Sequence, residues 1–282
     1  MKFCTTTKGT RVAYKKHPKG SGDLQIPLVL LHGFCEDHGV WAPVNSLLTP
    51  PSLLWIDLPG FGGSELPVNP DMKPYAEAIL AVLEAESIHQ CVMIGHSIGG
   101  YVALEFASRW PERLVGLGLF HSHPFEDSAE RKTARQRGLD TLQAGKRDLY
   151  VTQLFHNLFA PRFLQKNAGI LSQLILNGKK QSADGISAAL QAMLTRRDHQ
   201  QTLSSLKDCP VLFLLGKLDS LVTPEQGLKA ALLPEITDLQ LLPEAAHMAM
   251  YEYPEESAAI LNSFWDFCRV RKFVNQNSIK VQ

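Results

Sequence analysis

Six short apolar runs limit what this chain can fold into. They are Pro27–Leu31, Leu53–Ile56, Cys91–Ile94, Leu114–Phe120, Val211–Leu215 and Leu239–Leu242, and they are apolar throughout or nearly so. Runs of this length without alternation mark strands buried on both faces. Between them lie segments with apolar residues at helical spacing. Ala76, Ile79, Leu80 and Leu83 share one face within 72–87, and Val102, Ala103, Phe106, Ala107 and Trp110 share another before Pro111 stops it. Strands alternating with helices make a mostly parallel sheet covered on both sides, an α/β fold. Two further strands, 2–6 and 11–16, read as a hairpin turning at Lys8-Gly9 on a sheet edge. Helices are predicted at about 41–48, 224–232 and 254–271, a loop at 19–23 and a loosely ordered tail over 273–282.

One interval departs from this rhythm. About ninety residues separate Phe120 from Val211, where a crossover needs about a dozen. Val151, Phe155 and Phe159 form an i,i+4 row with Tyr150, Leu154 and Leu158 beside it, and Ile186, Leu190, Met193 and Leu194 form a second apolar face. The reading is a core domain of residues 1–122 and 209–282 with a helical cap, 123–208, inserted. The remaining composition excludes more than it identifies. At 282 residues, with 28 basic and 28 acidic side chains, the chain has no global field directed at nucleic acid or a membrane surface. Five scattered cysteines form no C-x-x-C pair, which argues against a disulfide framework or a zinc site. No apolar run reaches the roughly 18 residues of a membrane span, and the first residues lack the apolar core of a signal peptide. The expectation is a cytoplasmic protein, monomer or homodimer, with no metal and no cofactor.

The run at Cys91–Ile94 leads directly into Gly95-His96-Ser97-Ile98-Gly99-Gly100 and then a helix. Strand, tight turn and helix in that order hold the Ser97 hydroxyl above the sheet edge. Serine is a weak nucleophile at neutral pH, so it needs a base, and the base needs an orienting acid. In a parallel sheet the loops after the strand ends converge on one rim. Asp219 follows the strand ending at Leu215, and His247 follows the one ending at Leu242.

These residues carry a family resemblance. The chain resembles the α/β-hydrolase superfamily, whose nucleophile, acid and base occur in that order. His32-Gly33-Phe34 is similar to the family's oxyanion loop, and Asp57-Leu58-Pro59-Gly60-Phe61-Gly62-Gly63-Ser64 to its D-x-P-G-x-G-x-S loop. Trp110-Pro111-Glu112-Arg113, Gly216-Lys217-Leu218-Asp219, and His247 with Glu252-Tyr253-Pro254-Glu255 match further family segments. Ala246 departs from the glycine common before the histidine, and the cap is of no obvious named type. The resemblance implies an eight-stranded, mostly parallel sheet flanked by helices. It also implies Ser97 as nucleophile, His247 as base, Asp219 as acid, and the Phe34 and Ile98 backbone N–H groups as oxyanion donors.

The expected activity is that of a cofactor-free serine hydrolase, carboxylesterase-like, on a small or medium acyl ester. A C–C hydrolase or lyase on the same triad, and a small-molecule receptor retaining the fold, are the alternatives. His121, His123, Phe155, Leu158 and Phe159 are candidates for substrate contact. His96 and His32 read as structural, and Cys35 as a bystander thiol open to alkylation. Thirteen basic against eight acidic residues over 122–209 give a basic cap. Glu130–Arg137 within it reads as an exposed, solvated helix.

Overall fold

The computed structural model describes residues 1–18 and 26–279, with Pro18 and 276–279 described by backbone alone. The predicted loop at 19–23 lies outside the described residues. In chain order the sheet strands are β1 (Lys2–Thr5), β2 (Arg11–Pro18), β3 (Leu28–Leu31), β4 (Ser52–Ile56), β5 (Cys91–His96), β6 (Leu114–Phe120), β7 (Val211–Gly216) and β8 (Thr237–Leu242). They form one sheet in the order β1-β2-β4-β3-β5-β6-β7-β8. β1 and β2 run antiparallel, and every pairing from β4 to β8 is parallel. Every residue of β3 to β7 is buried, as continuous apolar runs require. β8 alternates instead between exposed and half-buried positions, because an edge strand has cover on one side only.

The helices of the sheet layers are α1 (Ala42–Asn45), α2 (Met72–Ala85), α3 (Ile98–Arg109), α10 (Pro224–Ala231), α11 (Ala249–Glu252) and α12 (Pro254–Ile279). Their ends carry the expected signals. Asp71 caps α2, and Thr223 and Gln226 form a capping box on α10. The helix predicted at 41–48 is shorter than expected: a single 3-10 turn over His38–Trp41 leads into the four residues of α1. The predicted tail is corrected more substantially. α12 continues to Ile279, while Phe273 and Val274 stay exposed. Burial of these two side chains is therefore not what extends the helix.

Between β6 and β7 lie α4 (Ala129–Gln143), α5 (Arg147–His156), α6 (Pro161–Lys166), α7 (Ala168–Lys180), α8 (Ala183–Thr195) and α9 (Gln200–Ser205). α4 packs on α8 and α5 on α7, whereas α9 packs on α3 in the sheet layer. The insertion rests on the core through specific bonds. Gly62 N–H donates to Gln181 Oε1 at 2.9 Å, and His247 N–H donates to Leu158 O at 2.9 Å. Glu252 joins the two parts as well, accepting the N–H of Ala160 at 2.7 Å and of Ala246 at 2.9 Å. Ala246 tolerates the replacement of glycine because its φ is not positive.

Candidate active site

Ser97 sits between the end of β5 and the start of α3 with φ 52° and ψ −116°. That region is costly for a residue with a side chain and persists only where the surroundings enforce it. Here Ser97 N–H donates to Phe120 O at 3.0 Å, and the Ser97 carbonyl accepts from Ser122 Oγ at 2.8 Å. A Cβ on Gly95 would fall onto the Gly99–Gly100 backbone, so strand and helix meet this closely only through glycine.

Asp219 and His247 meet where the ends of β7 and β8 bring their loops together. Asp219 Oδ2 accepts from His247 Nδ1 at 2.7 Å, and Oδ1 accepts the N–H of Leu221 at 2.8 Å and of Val222 at 3.0 Å. With Nδ1–H spent on Asp219, His247 Nε2 is left as an acceptor. It is buried and has no partner among the described residues. Ser97 and His247 line one cavity of about 180 Å³, together with Phe34 and Leu158. Burial pushes the Asp219 carboxyl up, but His247 and His121 outweigh it and hold the group well below the ordinary carboxylate range. Neither Phe34 N–H nor Ile98 N–H donates to any acceptor among the described residues. Such donors are rare inside proteins, and at the start of a helix they suit a developing negative charge.

His121 lies elsewhere than the cavity wall. Its Nδ1 donates to the same Asp219 Oδ2 at 3.0 Å, so it holds the acid and not a substrate. Burial lowers its pKa to about 4 despite Asp219, so the ring is neutral at pH 7. His121, Asp219 and His247 are thus a compact group of potential metal ligands, whose facing atoms are engaged by one another. His123 is also away from the cavity, stacked on Phe125 at 5.7 Å behind Tyr101. Phe155 is 1% exposed and turns toward Gly178 of α7. α5 ends before Phe159, which breaks the predicted row; Phe159 stacks on Phe163 at 5.2 Å instead. Of the five substrate-contact candidates, only Leu158 lines the cavity. Cys35 is fully buried, and burial raises its thiol well above the ordinary range, so it is not the open thiol expected.

Other residues were missed. Arg131 and Arg135, one turn apart on α4, line the cavity where a solvated helix face was expected. Arg135 pairs with Asp127, which also binds Arg196 at 2.6 Å, so one carboxylate serves two guanidinium groups. The Arg131 guanidinium donates to the Leu221 carbonyl and has no carboxylate partner among the described residues. Tyr101, Tyr150, Glu36 and His96 complete the polar lining. The i,i+4 spacing of Arg131 and Arg135 was visible in sequence, but not the side they face.

A mostly parallel eight-stranded sheet with a strained serine after β5, a buried Asp219–His247 pair beside it and helices inserted between β6 and β7 is the arrangement of the α/β-hydrolase class. Residues 28–260 match the family model described as alpha/beta hydrolase family, and the chain belongs to that family. The chain is 29% identical over 237 residues to a 2-succinyl-6-hydroxy-2,4-cyclohexadiene-1-carboxylate synthase of Klebsiella pneumoniae, covering 83% of this chain and 91% of that one. It is 28% identical to a pimeloyl-[acyl-carrier protein] methyl ester esterase of a Shewanella species over 243 residues, 81% of this chain and 86% of the other. Among solved structures, a thermophilic esterase from Thermogutta terrifontis, described as malate bound, superimposes with a TM-score of 0.87. Its identity is 25%, over 95% of this chain and 98% of that one.

Proposed function

We propose that the protein is a serine hydrolase of small carboxylic esters. The observation that carries this reading is the buried, unpartnered His247 Nε2 in the cavity that Ser97 lines, with Asp219 fixed behind it. Ser97 Oγ attacks the acyl carbon while His247 Nε2 takes its proton, and Asp219 stabilises the imidazolium. The Phe34 and Ile98 N–H groups hold the oxyanion. Collapse expels the alcohol with the proton from His247, and water then releases the acid by the same steps. No cofactor enters this scheme.

A cavity of about 180 Å³ holds on the order of a dozen non-hydrogen atoms, which favours a short acyl group. Arg131 and Arg135 favour an ester that carries a carboxylate. The carboxylate in the printed name of the Klebsiella relative and the malate of the Thermogutta esterase support this choice. The cytoplasm, with a small-molecule acyl substrate and a monomeric or homodimeric state, is the proposed setting, supported by five free cysteines, four of them buried. No helix among the described residues is long and apolar enough to cross a membrane.

The test is a p-nitrophenyl ester series from short to long acyl chains, with neutral and carboxylate-bearing members, run beside Ser97→Ala and a fluorophosphonate label. Turnover and labelling should both vanish in Ser97→Ala. Arg131→Gln should lower kcat/KM about tenfold or more for the anionic ester while leaving the neutral one within about twofold. Undiminished labelling of Ser97→Ala would end the reading. The name of the Klebsiella relative, a synthase, favours a second reading in which the same triad performs a lyase or C–C cleavage step. Labelling of Ser97 without turnover of any ester would point there, and tight ligand binding without turnover to a receptor.

A further inference from the structure

His96 is the last residue of β5, immediately before the nucleophile, and nothing in the triad scheme uses it. Its side chain touches both other parts of the site. His96 Nε2 lies 3.0 Å from the His247 carbonyl, and Nδ1 lies 3.2 Å from Glu36 Oε2. Glu36 Oε2 also accepts the Gly33 N–H at 2.7 Å, inside the loop that presents the Phe34 N–H. A carbonyl only accepts, so Nε2 carries a proton and donates it. Burial pushes the Glu36 carboxyl up, but His96 and the Gly33 N–H outweigh it and keep it below its ordinary range. Glu36 therefore faces His96 Nδ1 as a carboxylate.

The ring has little freedom to move. Trp41 and Phe120 stand edge-on to it at 6.4 and 5.9 Å, and the His247 ring is 5.1 Å away. A Cβ on Gly33 would sit 2.5 Å from His96 Nδ1 and 2.7 Å from Glu36 Oε2, so glycine is needed for the loop to lie against this pair. His247 is otherwise held by Asp219 through its ring and by Leu158 through its N–H. Its carbonyl has His96.

We propose that His96 is a positioning residue that spans from the oxyanion loop, through Glu36, to the base loop, through the His247 carbonyl, and so sets the distance between oxyanion donors and base. Being covalently next to Ser97, it ties all three parts of the reaction to one rigid strand end. Displacements of about 1 Å in such sites cost on the order of 100-fold in rate. The inference rests on the serine-hydrolase reading.

The two ring nitrogens can be tested separately. His96→Gln places its amide nitrogen where Nε2 stood and keeps a donor for His247, whereas His96→Asn reaches only the Nδ1 position. With p-nitrophenyl acetate, His96→Ala and His96→Asn should lose kcat about 10- to 100-fold, with KM within about twofold. His96→Gln, which keeps the His247 contact but not the Glu36 one, should recover part of that loss. Equal kcat in the Asn and Gln variants, or wild-type kcat in His96→Asn, overturns the proposal. Should His96→Asn fail to fold by circular dichroism, Glu36→Gln decides: a kcat loss at constant KM is expected, and wild-type kcat overturns it. Ser97→Ala in the same assay keeps the two questions apart, because turnover surviving there would refute the nucleophile and not the span.

Discussion

Asp219→Asn puts the acid–base pair to its sharpest test, because the structure dictates which way the new amide must face. Two backbone donors, Leu221 N–H and Val222 N–H, point at Oδ1. A side-chain NH2 there would meet two N–H groups with no acceptor, so the Asn oxygen takes that place. The NH2 is forced to the other side, opposite His247 Nδ1 at 2.7 Å and His121 Nδ1 at 3.0 Å. Each imidazole must then accept, which moves the His247 proton to Nε2, the atom that has to receive the Ser97 proton. Loss of the correct tautomer costs on the order of 10⁴ in kcat in triad hydrolases, equivalent to about 5 kcal/mol of barrier. The cavity and the oxyanion donors are untouched, so KM should change little. Burst and steady-state kinetics with p-nitrophenyl acetate at pH 7.5 measure both quantities. A folded Asp219→Asn enzyme losing less than about tenfold in kcat would refute the reasoning, and with it the assignment of the acid.

Further predictions concern stability and reactivity. His121 is held at about 4 in the folded protein against 6.5 for the free side chain. The unfolded chain therefore takes up the proton first as pH falls. The contribution is fully present above pH 6.5 and is lost between there and 4, reaching about 2 kcal/mol at pH 5. His123, lowered by burial and the neighbouring arginines to about 3, acts in the same direction, so urea midpoints should fall from pH 7.5 to pH 5; a flat profile refutes this. Phe155→Ala removes a ring that is 1% exposed and packed on α7. It should cost about 3–5 kcal/mol in urea denaturation with kcat/KM within about threefold, since Phe155 lies outside the cavity. Cys35, buried with a raised thiol, should stay unmodified by iodoacetamide in the native protein, as read by peptide mass spectrometry.

The family and its sheet were legible because burial writes itself into local pattern. Leu114–Phe120 and Val211–Leu215 are apolar at every position because they lie inside the sheet, and no distant contact is needed to read that. The order of Ser97, Asp219 and His247 was legible for a related reason: parallel strands place their C-terminal loops on one rim whatever the details of packing. Reading was weaker where cover is partial. β8 alternates because it lies at the edge, and the end of α12 persists with Phe273 and Val274 in solvent.

What sequence by itself determined, then, was the fold class, the alternation of strand and helix, and the placing of Ser97, Asp219 and His247 at neighbouring strand ends. Tertiary structure alone decided what the polar residues around them do. Whether Arg131 faces water or the cavity depends on how α4 sits on α8, and Asp127 reaches Arg196 only through that packing. His96 meets His247 across 151 residues of chain, and His121 shares Asp219 with it across 98. Hydrophobic periodicity records which face of one element is buried. It carries no record of which other element supplies the partner, and hydrogen bonds of about 3 Å leave no trace in spacing. That is why His96 read only as structural and His121 as a candidate for substrate contact until the strands were side by side.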